Sequence, residues 1–311
     1  MGTTRILVIG GTYFAGRVFS IYASRREDIE LTCVNRGSRP LRRDNVTELV
    51  ADRTDAAALK RALRDASFDA VIDFCAYHAG DVRAIFESGV TCGRYVLLST
   101  VNVYQPDAPS PQDESTPRST VEQIAARPGY PPELVDYLSG KRRLEDELLD
   151  CCADANTGWT ILRPSFIYGP FDYTPRLLTY LNWLAHGDPL PFPDDSRSRF
   201  SFIYVKDLAQ LLFKVLETPA TRNQAYNLAA PDAVDWPRFE ACLGALPSAT
   251  PQRCEHLSVA QIDEQRIPIM FPLEGDEWYA GDKIARDVGG FTFTTFEQGL
   301  AETWDILKDV L

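Results

Sequence analysis

Histidine is scarce in this chain: His78, His186 and His256 are the only three among 311 residues, and they lie far apart in the sequence. A metal site built on imidazole groups needs several such side chains close together. The seven cysteines show neither the spacing of metal ligands nor the even number of a disulfide framework, so we expect reduced thiols. No metal site is therefore predicted.

Positive charge is also in short supply. The chain has 32 lysines and arginines against 44 aspartates and glutamates, a formal net charge of −12. Such a surface disfavours the phosphates of nucleic acids and anionic lipids, so neither is expected as a partner. No apolar run approaches the length that spans a bilayer, and the N-terminus becomes a strand without a cleavable apolar segment. These absences predict a cytoplasmic protein with a small-molecule ligand.

The sequence does contain a repeated alternation of buried strands and helices. The run RILVIGG is apolar and ends in glycine, as in a strand that is covered on both faces of a parallel sheet. The runs IELTCVNRG, FDAVIDFCAY, RYVLLSTVNVY and GWTILRPSFIYGP repeat the pattern, and helices are expected near residues 15–24, 56–65 and 81–88. The predicted fold class is α/β, a doubly wound parallel sheet of the Rossmann type.

Two regions of the predicted fold are distinguished by their regularity. Residues 1–165 together with 201–230 carry the strand and helix alternation and are expected to form the dinucleotide-binding domain. Residues 166–200 and 231–311 are less regular and are assigned to a smaller, C-terminal substrate-binding lobe.

The first strand leads into GGTYFAGR, a glycine turn that opens a helix. Such a turn lets backbone amides approach a pyrophosphate, and the helix N-terminus favours the negative charge. A turn that needs glycine only for its backbone angles is the alternative. Its place in the first βαβ unit favours a dinucleotide cofactor. The residues of this turn expected at the cofactor are Gly10, Thr12, Tyr13, Phe14 and Gly16.

The second strand ends in Asn35 and Arg36, where NAD-selective sites often carry an acidic residue for the ribose hydroxyls. Arg36 opens the arginine-rich stretch NRGSRPLRR, and a guanidinium can hold a 2′-phosphate in bidentate fashion. We therefore expect NADP or NAD as cofactor, with NADP slightly favoured; a solvated arginine loop is the alternative. Asp52, which could accept a hydrogen bond from the adenine amino group, and the adjacent Arg53 complete this end of the site.

Tyr137 and Lys141 stand four apart in DYLSGKRRLEDELL, which on a helix places both side chains on one face. A nearby ammonium group favours the phenolate and lowers the pKa of a tyrosine, so that it can act as a base. A surface tyrosine packed on a lysine stem is the alternative. Gly140 between them weakens a helix by about 1 kcal/mol, which is explained if the cofactor or a neighbouring helix comes close there.

Side chains at the ends of two further strands are expected near the reacting atoms. LLSTVNVY supplies the hydroxyls of Ser99 and Thr100, one of which would orient a substrate oxygen. Cys75, Ala76 and Tyr77 follow FDAVIDF, where side chains can face the nicotinamide or the substrate, although a core or loop role is the alternative.

The pieces GGTYFAG, LLSTVNVY, YLSGK, LRPSFIYGP, FIYVKDLA and YNLAAP together resemble an extended short-chain dehydrogenase/reductase of the NAD-dependent epimerase/dehydratase family. The resemblance covers nearly the whole chain, and most members of that family act on nucleotide sugars. It implies that Thr100, Tyr137 and Lys141 are catalytic and that Pro164 and Tyr168 lie against the nicotinamide. It also implies a homodimer.

Several residues depart from the family pattern. Tyr13 stands where relatives have a third glycine, which could crowd the pyrophosphate. Asn102 lies where 4,6-dehydratases carry part of an Asp-Glu pair, so dehydration is not expected. Phe166 replaces a common substrate-binding asparagine, and the arginine that usually binds diphosphate is displaced by one residue. Arg197 and Arg199 remain candidate phosphate ligands.

The function predicted from these residues is hydride transfer at a secondary alcohol or ketone of a sugar, with a nucleotide sugar favoured, by an epimerase or a reductase. The alternative is a non-catalytic, cofactor-binding regulator or RNA-associated protein of the same fold. GGTxFxGR followed by NRG is similar to a branch of the family that includes chloroplast stem-loop RNA-binding proteins. An intact catalytic set and an acidic chain favour the enzyme.

Overall fold

The computed structural model describes residues 3–247 and 252–311. The first half contains β1 (Thr4–Ile9), α1 (Phe14–Ala23), β2 (Ile29–Asn35), β3 (Val46–Val50), α2 (Ala56–Leu63), β4 (Ser67–Asp73), α3 (Asp81–Glu87), β5 (Thr91–Leu98), α4 (Val121–Ala125), α5 (Pro132–Asp154) and β6 (Gly158–Pro164). The second half contains β7 (Phe166–Tyr168), α6 (Leu177–His186), β8 (Leu190–Pro193), β9 (Arg199–Phe200), β10 (Phe202–Tyr204), α7 (Val205–Glu217), β11 (Gln224–Leu228), β12 (Val234–Asp235), α8 (Trp236–Gly244), β13 (Cys254–Leu257), α9 (Val259–Gln265), α10 (Asp282–Asp287) and α11 (Phe296–Leu307).

Seven strands form the main sheet, in the order β11-β6-β5-β4-β1-β2-β3. Every pairing in it is parallel. One apolar cluster packs α1, α7 and α10 on one face, and a second packs α2, α3 and α5 on the other. Because both faces are covered, the strands are apolar runs rather than alternating ones. The predicted fold class, a doubly wound α/β sheet, is confirmed.

The order of the strands reverses beside β1, which lies between β2 and β4. Ile9 at the end of β1 is paired with Asp73 at the end of β4. In open α/β sheets, ligands bind in the crevice outside the carboxyl ends of the strands at such a switch point. The fold therefore directs attention to the turns that follow β1, β4 and β5.

A third apolar cluster lies beyond the sheet and consists mainly of aromatic side chains. Its centre includes Phe200, Phe202, Phe239 and Phe271, whose rings pack edge-to-face or stacked. Most of its residues come from the segments assigned to the smaller lobe, although α10 packs against the sheet instead. Within the described residues, no helix is both long enough and apolar enough to cross a membrane.

Candidate active site

The turn between β1 and α1 is too tight for side chains at its glycines. A Cβ on Gly16 would lie 2.3 Å from the Gly10 carbonyl oxygen, and Gly10 itself has φ +81° and packs against Cys75. Tyr13, the residue before α1, makes no side-chain hydrogen bond to the first turn of the helix. The amides of that turn therefore remain open to an anion, as a pyrophosphate cradle requires.

Tyr13 lies at the rim of this turn. Its side chain is 39% exposed, its ring centroid is 4.3 Å from that of Tyr173, and the Arg39 guanidinium lies 4.7 Å from the ring. Phe14 meets the same Tyr173 ring edge-on at 5.9 Å. An aromatic pair from two distant segments thus covers the outer side of the cradle, and Thr12 is buried beneath it.

At the end of β2, Asn35 shapes the arginine-rich loop. Its side chain accepts a hydrogen bond from Gly37 N at 2.7 Å and donates one to Glu48 at 3.3 Å. Glu48 also accepts from the backbone amide of Leu41 at 3.0 Å. Arg36 is exposed at the mouth of this loop, so of the two residues predicted here it is the one free to meet a ligand.

Arg53 is not free for a cofactor, contrary to the prediction. Its guanidinium forms a bidentate pair with Asp73 at 2.9 and 3.1 Å and donates to the Asp81 carbonyl at 2.7 Å. Burial would raise the pKa of Asp73, but the Arg53 charge holds it below its ordinary value. Asp52 is exposed, and its carboxylate accepts hydrogen bonds from Thr54.

The same ion pairs build the loop after β4. Cys75 N donates to Asp73 at 3.0 Å, and Tyr77 N donates to the Asp81 carboxylate at 2.7 Å. These bonds fix the three residues that were predicted here. Cys75 packs against the glycine turn, Ala76 is fully buried, and Tyr77 is exposed at the rim of the turn. Arg53 therefore supports the site from behind.

Lys141 is anchored between two strand ends. Its Nζ donates to the Ala76 carbonyl at 2.7 Å and to the Leu98 carbonyl at 2.8 Å, and the residue is only 2% exposed. The ammonium also lies 4.7 Å from the Tyr77 ring and 5.8 Å from the Tyr137 ring. Burial lowers the pKa of Lys141 to about 8.

Tyr137 and Thr100 face each other across the site. Burial raises the pKa of Tyr137 to about 12, while the Arg176 charge and a hydrogen bond with Thr100 act to lower it. In the protein without a bound cofactor, the prediction that Lys141 lowers the pKa of Tyr137 is wrong. The ammonium is turned toward two carbonyls, and the desolvation of the phenol outweighs every nearby charge.

The loop after β4 comes so close to Gly140 that a side chain at this position would not fit. A Cβ at this position would lie 1.9 Å from the Tyr77 carbonyl oxygen. The close neighbour is thus a loop backbone, and neither a helix nor the cofactor. This contact holds α5, with Tyr137 and Lys141, against the loop that carries Ala76.

Two other predicted cofactor residues are buried. The Ser99 hydroxyl is buried and has no hydrogen-bond partner among the described residues. Burial would raise the pKa of the neighbouring Glu145 carboxyl group, but Arg163 holds it below its ordinary value. Tyr168 is 2% exposed and its ring packs on Phe202 at 5.3 Å. The ring belongs to the aromatic core of the smaller lobe, and contact of Tyr168 with the nicotinamide stays a prediction. Pro164 ends β6 at the predicted edge of the sheet.

On the substrate side, the predicted residues divide into two groups. The Phe166 ring lies 5.3 Å from the Arg176 guanidinium, whose charge acts on the pKa of Tyr137. Asn102 Oδ1 lies 3.4 Å from Thr100 Oγ1. Arg199 is neutralised by Asp276 at 2.6 Å and stacked on an aromatic ring, so it is not a free phosphate ligand. Arg197 is exposed on the same strand connection.

Sequence reasoning missed three residues at this site: Tyr173, Arg176 and Glu277. The first two lie in FDYTPR, directly after the YGP motif, where an exposed aromatic beside an arginine was an available signal. Glu277 lies at the start of EWYAGDK, directly before two aromatic residues, and nothing in its local sequence assigns it to this space.

Comparison with known proteins agrees with this geometry. The sequence profile of the NAD dependent epimerase/dehydratase family matches residues 6–229. The chain belongs to this family. Family membership agrees with a cradle for a dinucleotide beside a Thr, Tyr and Lys set.

Three relatives illustrate the range of the likeness. The chain is 26% identical over 305 residues to the chloroplast stem-loop binding protein of 41 kDa b from Arabidopsis thaliana, covering 92% of this chain and 74% of that protein. The UDP-N-acetylglucosamine 4-epimerase of Methanobrevibacter ruminantium, solved with UDP-N-acetylmuramic acid, has a TM-score of 0.77 at 17% identity over 100% of both chains. The NAD complex of the Thermus thermophilus UDP-glucose 4-epimerase has a TM-score of 0.74 at 17% identity, over 99% of this chain and 100% of that one. At these identities, the solved structures show a shared fold.

The buried Lys141 predicts a distinctive dependence of stability on pH. Its pKa is about 8 in the folded chain and about 10.4 when unfolded. Between these values the unfolded chain binds a proton that the folded chain has lost, so the free energy of unfolding rises with pH. Relative to Lys141→Met, the wild type should gain on the order of 1 kcal/mol per pH unit in this window.

Urea unfolding of both proteins at about pH 8 and about pH 10 measures this difference. Lys60→Met, which removes an exposed lysine on α2, is the control and should show no such slope. A wild-type advantage over Lys141→Met that is independent of pH would contradict the assignment.

Proposed function

We propose that the chain is a nicotinamide-dependent epimerase or oxidoreductase that acts at a secondary alcohol or ketone of a sugar. The observation that carries the proposal is the convergence of Thr100, Tyr137 and Lys141 beside the glycine cradle, in a member of this family. Tight glycines and an uncapped helix N-terminus fit a dinucleotide pyrophosphate.

Each of the three residues has a separate task in this proposal. Tyr137 takes the proton of the substrate hydroxyl at its phenolic oxygen and returns it when a ketone is reduced. Thr100 orients the substrate oxygen. Lys141 supplies positive charge 5.8 Å from the Tyr137 ring, while its hydrogen bonds to the Ala76 and Leu98 carbonyls hold it in place. When bound, the nicotinamide accepts the hydride and, in an epimerase, gives it back to the other face of the same carbon.

A nucleotide sugar is the substrate class that we favour. Support comes from the solved relatives that are named as epimerases of UDP-sugars. Arg199, however, is paired with Asp276, so a diphosphate would need Arg197 or Arg176. A panel of UDP-, dTDP- and GDP-sugars, followed by nuclear magnetic resonance for epimers or reduced products, tests the proposal. Failure to convert any of them would move the substrate outside this class.

The preference for NADP over NAD remains a prediction based on Arg36. We expect Arg36→Ala to weaken NADP binding by about tenfold, because a charged hydrogen bond to phosphate contributes about 1.5–3 kcal/mol. NAD binding should stay unchanged, since NAD has no 2′-phosphate. Calorimetric titration of both cofactors measures the two constants, with Arg25→Ala at the far end of α1 as control. Equal affinities of the wild type for NAD and NADP would refute the preference.

The homodimer implied by the family resemblance also stays a prediction. Leu144 and Leu148 of α5 are fully buried within this chain's own core, so they are not available to a partner. Sedimentation velocity of the purified protein tests the oligomeric state.

A second candidate function is an RNA-associated role. It is favoured by the relative named as a stem-loop binding protein, which this chain matches over 92% of its length. Titration with a labelled RNA stem-loop at low and physiological salt discriminates the two candidates. Saturable, salt-resistant RNA binding without any binding of a nicotinamide dinucleotide would favour the RNA role over the enzyme.

A further inference from the structure

Glu277 is a carboxylic acid on the substrate side of the site that the proposed chemistry does not use. Its segment is held against β9: Glu277 N donates to the Arg199 carbonyl at 2.8 Å, and Ser201 N donates to the Glu277 carbonyl at 3.0 Å. Extended backbone sends successive side chains to opposite faces. Asp276 and Trp278 both hold Arg199, so Glu277 faces the other way.

The face that Glu277 shares with Tyr279 looks onto the turn after β5. Tyr279 is 6% exposed, and its ring stacks with Tyr104 at 6.3 Å. The Glu277 carboxyl group meets the side chain of Asn102 in the same turn. Asn102 Oδ1 lies 3.4 Å from Thr100 Oγ1. A single side chain therefore separates Glu277 from the hydroxyl that is proposed to orient the substrate oxygen.

Two guanidinium groups face Glu277 from separate elements. Arg176, just before α6, carries a charge that acts on the pKa of both Glu277 and Tyr137. Arg127, just after α4, is held by the Asn102 and Tyr104 carbonyls at 3.4 and 2.8 Å. Within residues 3–247 and 252–311, only Nε of Arg176 has a hydrogen-bond partner, so its terminal nitrogens are open to a ligand.

These surroundings act on the pKa of Glu277 in opposite directions. Burial raises the pKa of Glu277, and the Asn102 hydrogen bond and the two guanidinium groups oppose that rise without cancelling it. Tyr279 on the same segment is a further titratable neighbour, with Tyr104 and Tyr130 close to it. A protonated carboxyl group is a hydrogen-bond donor, whereas an ionised one only accepts.

We propose that Glu277 is a specificity-determining residue, whose carboxyl group forms a hydrogen bond with an oxygen substituent beside the reacting carbon of the substrate. The inference rests on the proposed function, because it needs a cofactor and a substrate in front of Tyr137. Asn102 and Arg176 flank the same oxygen. The site thus selects sugars that carry a hydroxyl or carbonyl group at the neighbouring carbon.

Infrared difference spectroscopy of wild type against Glu277→Gln tests this in the holoprotein. The carbonyl band of the protonated carboxyl group is titrated with NAD⁺ bound and again with NADH bound. The oxidised nicotinamide carries a positive charge, so the Glu277 band should disappear at a pH lower by about 0.5–1 unit with NAD⁺ than with NADH. A carboxyl group that lies away from the site would titrate at the same pH with NAD⁺ bound and with NADH bound.

Glu274→Gln is the matched control, because Glu274 is an exposed carboxylate three residues earlier on the same segment. The contribution of Glu274 to the infrared carbonyl band should be independent of the redox state of the cofactor. If the chain binds both cofactors and the Glu277 band does not respond to their redox state, this proposal is overturned and the proposed function stands. If the chain binds neither cofactor, both this proposal and the proposed function are refuted.

Discussion

Tyr137→Phe should lower the rate of hydride transfer by about 10²–10⁴-fold, the usual contribution of a positioned acid or base. The substitution removes only the phenolic oxygen, the atom that is proposed to exchange a proton with the substrate and whose pKa Thr100 acts to lower. Because the Tyr137 pKa is raised to about 12 in the chain alone, we expect the reaction to speed up with pH until the phenolate forms. This rise should be absent in the variant.

The measurement is the rate of product formation, with the sugar that the panel identifies, as a function of pH. Cofactor affinity should be unchanged, since the ring and the Lys141 ammonium beneath it are retained. Tyr22→Phe, at the far end of α1 from the glycine turn, is the control. A Tyr137→Phe protein with wild-type turnover would remove Tyr137 from the mechanism.

Gly140→Ala should both destabilise the protein and slow its turnover. Its Cβ would lie 1.9 Å from the Tyr77 carbonyl oxygen, so either α5 or the loop after β4 must move. Overpacking of this kind costs about 1–3 kcal/mol, against a helix gain of about 1 kcal/mol. Since Lys141 bonds to the Ala76 carbonyl in the displaced loop, we also expect turnover to fall by about 10²-fold.

Urea unfolding and turnover are measured together on Gly140→Ala. Gly244→Ala is the matched control, because that glycine is also helical and, among residues 3–247 and 252–311, its Cβ would meet nothing nearer than 3.8 Å. The control should leave stability unchanged or slightly higher. If Gly140→Ala were as stable and active as the wild type, the close packing of α5 on the loop would be refuted.

Local sequence was sufficient for the scaffold and for the residues that come together on it. Strands buried on both faces produce continuous apolar runs, and helices predicted near residues 15–24, 56–65 and 81–88 lie at Phe14–Ala23, Ala56–Leu63 and Asp81–Glu87. Once the sheet is parallel, the strand ends must meet at one edge. The proximity of Thr100, Lys141 and the glycine turn could therefore be predicted without any knowledge of the tertiary structure.

The sequence predictions were least reliable where a residue that is distant in the chain decides the role of a side chain. Arg53 follows a strand as a cofactor ligand would, but Asp73 pairs with it. Tyr168 belongs to a recognisable motif, but the aromatic rings of the other lobe enclose it. The pKa of Tyr137 depends on how deeply the phenol is buried, which spacing to Lys141 does not reveal. Glu277 reaches the site from the C-terminal lobe, and no local pattern records that contact.

The central claim is that this chain binds a nicotinamide dinucleotide at the glycine turn. The most direct measurement is to denature freshly purified protein, identify any released nucleotide by mass spectrometry, and titrate the protein with NADP and NAD. We predict saturable binding of at least one of the two. A protein that neither retains nor binds a nicotinamide dinucleotide would contradict the account.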